Sequence, residues 1–138
     1  MISKPDEVLR NSKIFAVIGA TRNRTKYGFE IFRVLTDYGY KTYAVNPNYN
    51  SIEEYPCYPS RAELPEKPDV VVTVVPPDVT ETIIEEAHRL SIPTIWMPPG
   101  SVSAAAVQKC EDCRLEHVDE ACVILAVKLQ GRKGHERT

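Results

Sequence analysis

Short apolar runs alternate along the chain with longer segments in which apolar residues recur every three or four positions. The short runs have the length of β-strands, and the longer segments have the period of amphipathic helices. Strands that alternate with helices predict repeated β-α-β units around a parallel sheet. We therefore expect an α/β fold of three layers, doubly wound, with a mainly parallel sheet of about five strands.

Five apolar runs are predicted as strands, at residues 14–19, 41–45, 69–75, 93–97 and 115–118. The run 69–75 is β-branched on both faces, as expected for a central strand buried on both sides of a parallel sheet. Three of the runs end abruptly at proline, which cannot donate a hydrogen bond to a neighbouring strand. These prolines are Pro47, the pair Pro76 and Pro77, and the pair Pro98 and Pro99.

Helices are predicted over residues 3–11, 28–38 and 78–90, from residue 101 or 103 to 113, and over 121–129. Ser3, Asp78 and either Ser101 or Ser103 are expected to cap helix N-termini, and Gly39 to provide a C-cap. The turn-rich segment 48–68 is a crossover with one helical turn near Ala62. We expect one domain over residues 1–130 and a disordered polar tail over residues 131–138.

Composition narrows the class of protein. The 138 residues fit one domain, and 43% apolar with 26% charged residues is ordinary for a globular protein. A net charge of −2 gives no general attraction to nucleic acid. The N-terminus lacks the apolar segment of a signal peptide, and no run approaches the roughly 18 apolar residues of a membrane helix. We expect a cytoplasmic protein whose four cysteines are reduced.

The first strand leads into a glycine turn and a basic loop. The turn, the loop and the start of the next helix contain Gly19, Ala20, Thr21, Arg22, Arg24, Lys26, Tyr27 and Gly28. A helix N-terminus after such a turn has unpaired N–H groups and a positive dipole end, which favour a phosphate. The dinucleotide fingerprint G-x-G-x-x-G would need glycine where Thr21 and Arg24 stand. The motif therefore predicts a nucleotide site that differs from a standard dinucleotide site.

The ends of the predicted strands indicate which nucleotide is bound. Ligands of open parallel sheets bind beyond the carboxyl ends of the strands. Four unusual strand ends are expected to meet there, at residues 19–21, 46–47, 76–77 and 98–100. An NAD site would place Asp or Glu after the second strand, but Asn46 stands there. With three cations in the first loop, this favours an adenosine nucleotide with an extra phosphate, NADP or CoA. The hydroxyl of Thr21 favours CoA, and NADP stays open on residue types alone.

The chain resembles a known family, the single-domain CoA-binding proteins. It is also similar to the CoA-binding N-terminal domain of the succinyl-CoA synthetase α subunit and of NDP-forming acyl-CoA synthetases. The resemblance covers about residues 14–122 and rests on four motifs, which span residues 16–21, 39–47, 75–77 and 96–100. Many members have Ala-Ser where this chain has Ala20-Thr21, and Gln and Gly often stand in place of residues 98–100.

The resemblance implies a Rossmann-like domain that holds CoA. The phosphates and adenosine would lie near residues 19–28, 46–47 and 75–77, and the pantetheine arm would run toward residues 97–100. In the loop before the second helix, Lys26 either pairs with a phosphate or is a solvated surface lysine, and Tyr27 either stacks on adenine or is a surface tyrosine. The cofactor-binding residues expected are Gly19, Ala20, Thr21, Arg22, Arg24, Lys26, Tyr27, Gly28, Asn46, Pro47, Val75, Pro76, Pro77, Met97, Pro98 and Gly100.

No catalytic residue and no metal ligand is assigned. The isolated histidines His88, His117 and His135 are interpreted as bystanders, and Cys110 and Cys113 as ordinary thiols despite their C-x-x-C spacing. Cys122 is either a small buried residue or the partner of CoA in a mixed disulfide.

Three functions remain on the sequence alone. The first is a protein that binds CoA or acyl-CoA, as a monomer or a homo-oligomer, without catalysis of its own. The second is a detached CoA-binding subunit of an NDP-forming acyl-CoA synthetase. The third is an NAD(P)-responsive regulator or small reductase.

Overall fold

The computed structural model describes residues 4–137, and the side chains of residues 4–130. The strands form one sheet in the order β3-β4-β2-β1-β5-β6-β7. Neighbouring strands are parallel, except that β3 is antiparallel to β4. The strands are β1 (Ile14–Ile18), β2 (Lys41–Val45), β3 (Ser51–Ile52), β4 (Tyr55–Tyr58), β5 (Val70–Thr73), β6 (Thr94–Met97) and β7 (Glu116–Asp119).

Helices cover both faces of this sheet, as the doubly wound prediction requires. One face carries α1, α2 and α5, with α5 in contact with both α1 and α2, and the other carries the pair α3 and α4. The helices are α1 (Lys4–Asn11), α2 (Tyr27–Asp37), α3 (Pro77–Arg89), α4 (Ala104–Asp112) and α5 (Val123–Arg137). None of the helices within residues 4–137 is both long enough and apolar enough to cross a membrane.

Both faces of the central strands are buried, which explains their continuous apolar sequences. In β1, Phe15 and Val17 pack in the cluster under α1, α2 and α5, whereas Ala16 and Ile18 pack in the cluster under α3 and α4. All of β5 and β6 is likewise buried. The three layers are therefore held together through the middle of the sheet, and the strand ends are left for the loops.

The sheet has seven strands, more than the five or so that the sequence predicted. The additional strands, β3 and β4, form a hairpin inside the segment predicted as a crossover. They were missed because β3 has two residues and β4 contains Pro56. Since Pro56 has no N–H, β4 joins β2 only from Cys57 onward, with Cys57 opposite Ala44 and Tyr58 opposite Val45. The helical turn predicted near Ala62 is present as a 3-10 turn at Arg61–Glu63.

Two predicted helix caps are confirmed. Ser103 caps α4 by accepting a hydrogen bond from the Ala106 N–H at 3.0 Å. Gly39 follows α2 with φ +92, a left-handed conformation that favours glycine.

Other predicted helix ends differ from the structure. The prediction for Asp78 is wrong, because α3 begins at Pro77 and Pro76 is the residue before it. Proline suits the first position of a helix, occupied here by Pro77, because its ring fixes a helical φ and the first N–H of a helix needs no partner. Ser3 lies outside the described residues. Helix α5 continues to Arg137, past the predicted end at residue 129 and through most of the predicted tail. Its Gln, Arg, Lys and Glu residues are good helix formers and no proline interrupts them, although Gly131 and Gly134 are poor helix formers.

Candidate nucleotide-binding site

The connections of the sheet diverge at β1 and β5. From β1 the chain passes through α2 to β2 on one side, and it later returns to β5 on the other side of β1. Because the helices after β1 and β5 cover opposite faces, a crevice opens between the carboxyl ends of these two strands. A cavity of about 410 Å³ lies there. Its lining residues are Gly19, Thr21, Asn23, Lys26, Tyr27, Gly28, Tyr49 and Val74.

Two glycines allow the backbone around this cavity to pack closely. Gly19 has φ +96, and a Cβ there would lie 2.1 Å from the carbonyl oxygen of Val74. A Cβ at Gly28 would lie 2.3 Å from the carbonyl oxygen of Gly19. Gly19 thus lets the β1–α2 loop touch the end of β5, and Gly28 lets the first turn of α2 touch that loop. Together they form a close-packed cradle in which any larger side chain would collide with backbone.

The N-terminus of α2 supplies donors to the cradle. Helix α2 has no side-chain cap at Lys26, and the first N–H that bonds back to Lys26 belongs to Phe29, at 3.1 Å. The N–H groups of Tyr27 and Gly28 therefore have no helical acceptor, and both residues line the cavity. This arrangement fits an anionic group, since the positive end of the helix dipole lies at the same place.

Thr21 and Asn23 give the loop its shape. The Thr21 hydroxyl lies 3.1 Å from the Tyr49 hydroxyl and accepts a hydrogen bond from the Asn23 N–H at 3.2 Å. The Asn23 side chain in turn accepts hydrogen bonds from the N–H and hydroxyl of Thr25. The predicted hydroxyl of Thr21 is therefore at the cavity, where it is already hydrogen-bonded to protein groups.

Asn46 joins two of the loops at this edge. Its Nδ2 donates a hydrogen bond to the Ala20 carbonyl oxygen at 2.9 Å, and its Oδ1 accepts one from the Asn48 N–H at 2.9 Å. Asn46 thus positions the glycine turn against the loop after β2, and Ala20 is buried beneath it. An aspartate at position 46 could not donate to Ala20. This is a structural reason, beyond ligand charge, for an amide at this site.

The three cations predicted for the site do not share one environment. Arg22 donates from Nε to the Ser51 carbonyl oxygen at 2.8 Å, and Arg24 Nη2 lies 3.0 Å from Glu53 Oε1. Both arginines are thus held by the β3–β4 hairpin. Lys26 lines the cavity instead, and among the described side chains no carboxylate forms an ion pair with it.

Tyr27 connects the cavity to the loop before α5. Its hydroxyl donates a hydrogen bond to Cys122 Sγ at 3.3 Å, and burial, together with that thiol, raises the pKa of Tyr27. The buried indole of Trp96 donates to the Ala121 carbonyl oxygen at 2.8 Å, which fixes the same loop. Cys122 therefore lies next to the cavity wall and is half-buried.

The tips of β5 and β6 are only partly open. Val75 and Pro77 are half-buried and Pro76 is exposed, whereas Met97 and Pro98 are buried. A buried hydrogen bond of 3.1 Å between the hydroxyls of Thr73 and Ser101 joins the two tips. Gly100, with φ +94 and open space around it, is exposed. Any ligand that follows this edge would meet Pro99 and Gly100 before the side chain of Met97.

A family model described as a CoA binding domain matches residues 13–128. The chain belongs to this CoA-binding domain family. The match confirms the resemblance inferred from the glycine turn and the proline-tipped strands.

One relative is the ADP-forming acetate–CoA ligase I of Archaeoglobus fulgidus, with 39% identity over 80 residues, 58% of this chain and 12% of the ligase. A solved structure of a conserved hypothetical protein from Pyrococcus furiosus has a TM-score of 0.78 and 35% identity, covering 82% of this chain and 97% of that one. Acetyl-coenzyme A synthetase 1 of Ca. Korarchaeum cryptofilum has a TM-score of 0.72 and 26% identity, covering 83% of this chain and 27% of the synthetase. The chain thus spans a small part of these ligases.

Other titratable groups of this CoA-binding domain lie away from the cavity. His88 is exposed on α3, and the side chain of His135 lies outside the described residues. His117 Nδ1 lies 2.8 Å from Asp119 Oδ1 and its Nε2 lies 3.5 Å from Glu111 Oε2. Cys110 is buried, and desolvation raises the pKa of its thiol to about 12. Among the described residues, no group of His, Cys, Asp and Glu is arranged to hold a metal ion.

The sequence prediction missed three residues of the cavity wall, namely Asn23, Tyr49 and Val74. Tyr49 follows Asn46 and Pro47 in the same loop, so the reasoning from strand ends would have included it if extended by two residues. Val74 immediately precedes the predicted Val75. Asn23 gave a weaker signal, as a turn residue within the basic loop.

Proposed function

We propose that this protein binds CoA or an acyl-CoA in the crevice between β1 and β5 and has no catalytic group of its own. The observation that carries the proposal is the cradle of Gly19 and Gly28, with two N–H groups of α2 that have no helical acceptor. Lys26 lies beside it and has no ion-pair partner among the described side chains. A diphosphate suits these groups because they combine backbone donors, a helix dipole and one cation. Family membership supports CoA as the nucleotide.

The residues expected to hold CoA fall into three parts of the site. The turn at Gly19 and the first turn of α2 would bind the diphosphate. The loop with Asn46, Pro47 and Tyr49 would flank the adenosine. The tips of β5 and β6 would guide the pantetheine arm toward Gly100. CoA itself supplies the thiol that carries acyl groups, and the residues named here bind and orient it.

A binding titration tests this proposal against the NAD(P) alternative. We expect CoA and acetyl-CoA to bind purified protein, and NADH and NADPH to bind much more weakly or not at all. Native mass spectrometry of the protein as purified would report a retained ligand and the number of subunits in one measurement. Tight binding of NADPH without binding of CoA would overturn the proposal in favour of an NAD(P)-responsive regulator or reductase.

A second candidate function is that of a CoA-binding subunit that works with other chains of an acyl-CoA ligase. The similarity to a small part of ADP-forming acetate–CoA ligases favours it. Such a subunit would bring CoA and would rely on its partners for nucleotide binding and phosphoryl transfer. Co-purification with a larger ligase chain, and acyl-CoA formation only in the mixture, would support this candidate over a free binding protein.

Two interpretations of Cys122 remain, and one experiment distinguishes them. In a mixed disulfide, the Cys122 thiolate attacks the disulfide of oxidised CoA, forms one S–S bond and releases one CoA thiolate. A CoA-mass adduct on Cys122 after incubation with CoA disulfide would support this reaction. An unmodified Cys122 would support a packing role beside Tyr27.

We also propose a cytoplasmic location, which the four free cysteines support.

A further inference from the structure

The β3–β4 hairpin holds both arginines of the β1–α2 loop, Arg22 at the start of β3 and Arg24 at the turn. Arg22 bonds to the Ser51 carbonyl oxygen, and its guanidinium lies 5.2 Å from the centre of the Tyr49 ring. Arg24 pairs with Glu53, and its guanidinium lies 5.5 Å from the centre of the Phe29 ring. Neither arginine lines the cavity. Arg22 lies over the ring of Tyr49, and Tyr49 does line the cavity. The hairpin therefore holds two cations at the margin of the site.

Glu53 is the anionic group of this hairpin that contacts the loop. It lies between β3 and β4 in a left-handed conformation with φ 55, and its Oε1 is 3.5 Å from Arg33 Nη1 as well as 3.0 Å from Arg24 Nη2. One carboxylate thus faces two guanidinium groups. Because β4 pairs with β2, and the Asn46 N–H bonds to the Tyr58 carbonyl oxygen, the hairpin lies beside the loop of Asn46, Pro47 and Tyr49, and Tyr49 lines the cavity. The adenosine end of the ligand is expected on that side.

We propose that Glu53 sets how strongly the site prefers an adenosine nucleotide with an additional phosphate over the same nucleotide without it. This inference rests on the proposed function. In the free protein Glu53 holds Arg24 in an ion pair, and a phosphate monoester at the ribose must displace that carboxylate to gain the arginine. A phosphate is the better partner for a guanidinium, but breaking the existing pair reduces the net gain. Glu53 therefore limits the preference for CoA over 3′-dephospho-CoA.

The test is to measure the affinities of CoA and 3′-dephospho-CoA for the wild type and for Glu53→Gln. We expect CoA to bind the variant about two- to five-fold more tightly, the range typical of an exposed ion pair. The affinity of 3′-dephospho-CoA should stay unchanged. Glu54→Gln is the matched control, because it removes the same charge from the adjacent, exposed residue. In an Arg24→Gln background, Glu53→Gln should give no gain.

The outcomes separate this inference from the proposed function. If the wild type binds neither ligand, both are contradicted. If the wild type binds CoA but Glu53→Gln leaves its affinity unchanged or lowers it, only the role of Glu53 is overturned. An equal gain for both ligands, or the same gain in Glu54→Gln, would overturn it as well, since general charge would then explain the effect. Thermal unfolding of each variant shows whether the fold is retained.

Discussion

Gly28, in the first turn of α2, lies directly against Gly19 in the turn after β1. A Cβ on Gly28 would be 2.3 Å from the carbonyl oxygen of Gly19, and the nearest obstacle is backbone, which cannot rotate away. The closeness of these two residues fixes the position of the helix N-terminus over the end of β1. The cradle proposed for the diphosphate therefore depends on two glycines that are nine positions apart in the chain.

Gly28→Ala is expected to disturb both the fold and the site. Forcing a methyl group into a filled space typically costs about 1–3 kcal/mol, and here it would also push α2 away from the turn. We expect a lower unfolding midpoint and at least a tenfold loss of CoA affinity, measured by thermal unfolding and by titration. Gly39→Ala serves as the control, since Gly39 has φ +92 but open space around it.

That control should lose stability through backbone strain, by about 1–2 kcal/mol, and keep its affinity for CoA. The two glycines would then separate damage to the fold from damage to the site. Unchanged CoA affinity in Gly28→Ala would contradict the role assigned to the cradle.

Asn46→Asp tests the contact that joins the glycine turn to the loop after β2. The carboxylate cannot donate to the Ala20 carbonyl oxygen, which Asn46 Nδ2 contacts at 2.9 Å, and it would repel that oxygen. We expect a loss of about 1–3 kcal/mol in the free energy of unfolding and weaker CoA binding. Asn50→Asp adds the same charge at an exposed residue of the same loop and should change neither. Equal effects of the two substitutions would show that charge alone is responsible.

Lys26→Ala and Arg24→Ala are expected to affect binding differently. Lys26 lines the cavity without a partner carboxylate among the described side chains, so its removal should weaken CoA and 3′-dephospho-CoA alike, by about tenfold. Arg24 is paired with Glu53 at the margin, so its removal should weaken CoA alone and by less. Lys67→Ala, at an exposed lysine outside the site, is the control. A loss specific to CoA in Lys26→Ala would assign Lys26 to the 3′-phosphate instead.

The sequence was sufficient to predict those residues of the cavity wall that depend on local patterns. One strand, β1, is followed within ten residues by Gly19, Thr21, Lys26 and Gly28. The alternation of strands and helices places the end of that strand at the edge of the sheet where the carboxyl ends of the strands meet. The doubly wound fold followed from the same alternation. These features are readable because each depends on residues that are close together in the chain.

The features that the sequence did not reveal depend on contacts between distant segments. Pairing of the short strands β3 and β4 places Glu53 beside Arg24, which is 29 positions away in the chain. The contact between Gly19 and Val74 requires β1 and β5 to be neighbours, which the order of the strands along the chain does not specify. The burial of Met97 depends on packing under α3 and α4, so a strand-end position alone could not predict its exposure.

His117 should make the stability of the fold depend on pH. Burial alone would lower the pKa of His117, but the hydrogen bond and charge of Asp119, with the charge of Glu111, raise it above its usual value. A raised pKa means that the folded protein binds the proton more strongly than the unfolded chain does. The stabilisation is therefore fully present below the unfolded pKa of about 6.5 and is lost as the pH rises through the folded pKa.

Denaturant unfolding of the wild type and His117→Gln between about pH 5.5 and 8.5 would measure this effect. At the acidic end we expect the wild type to be more stable than His117→Gln, by no more than about 1 kcal/mol. This difference in the free energy of unfolding should shrink as the pH rises. His88→Gln, which removes an exposed histidine of α3, is the matched control. A difference that is constant across the range would mean that His117 stabilises β7 and α4 by packing alone, because packing does not change when the imidazole loses its proton.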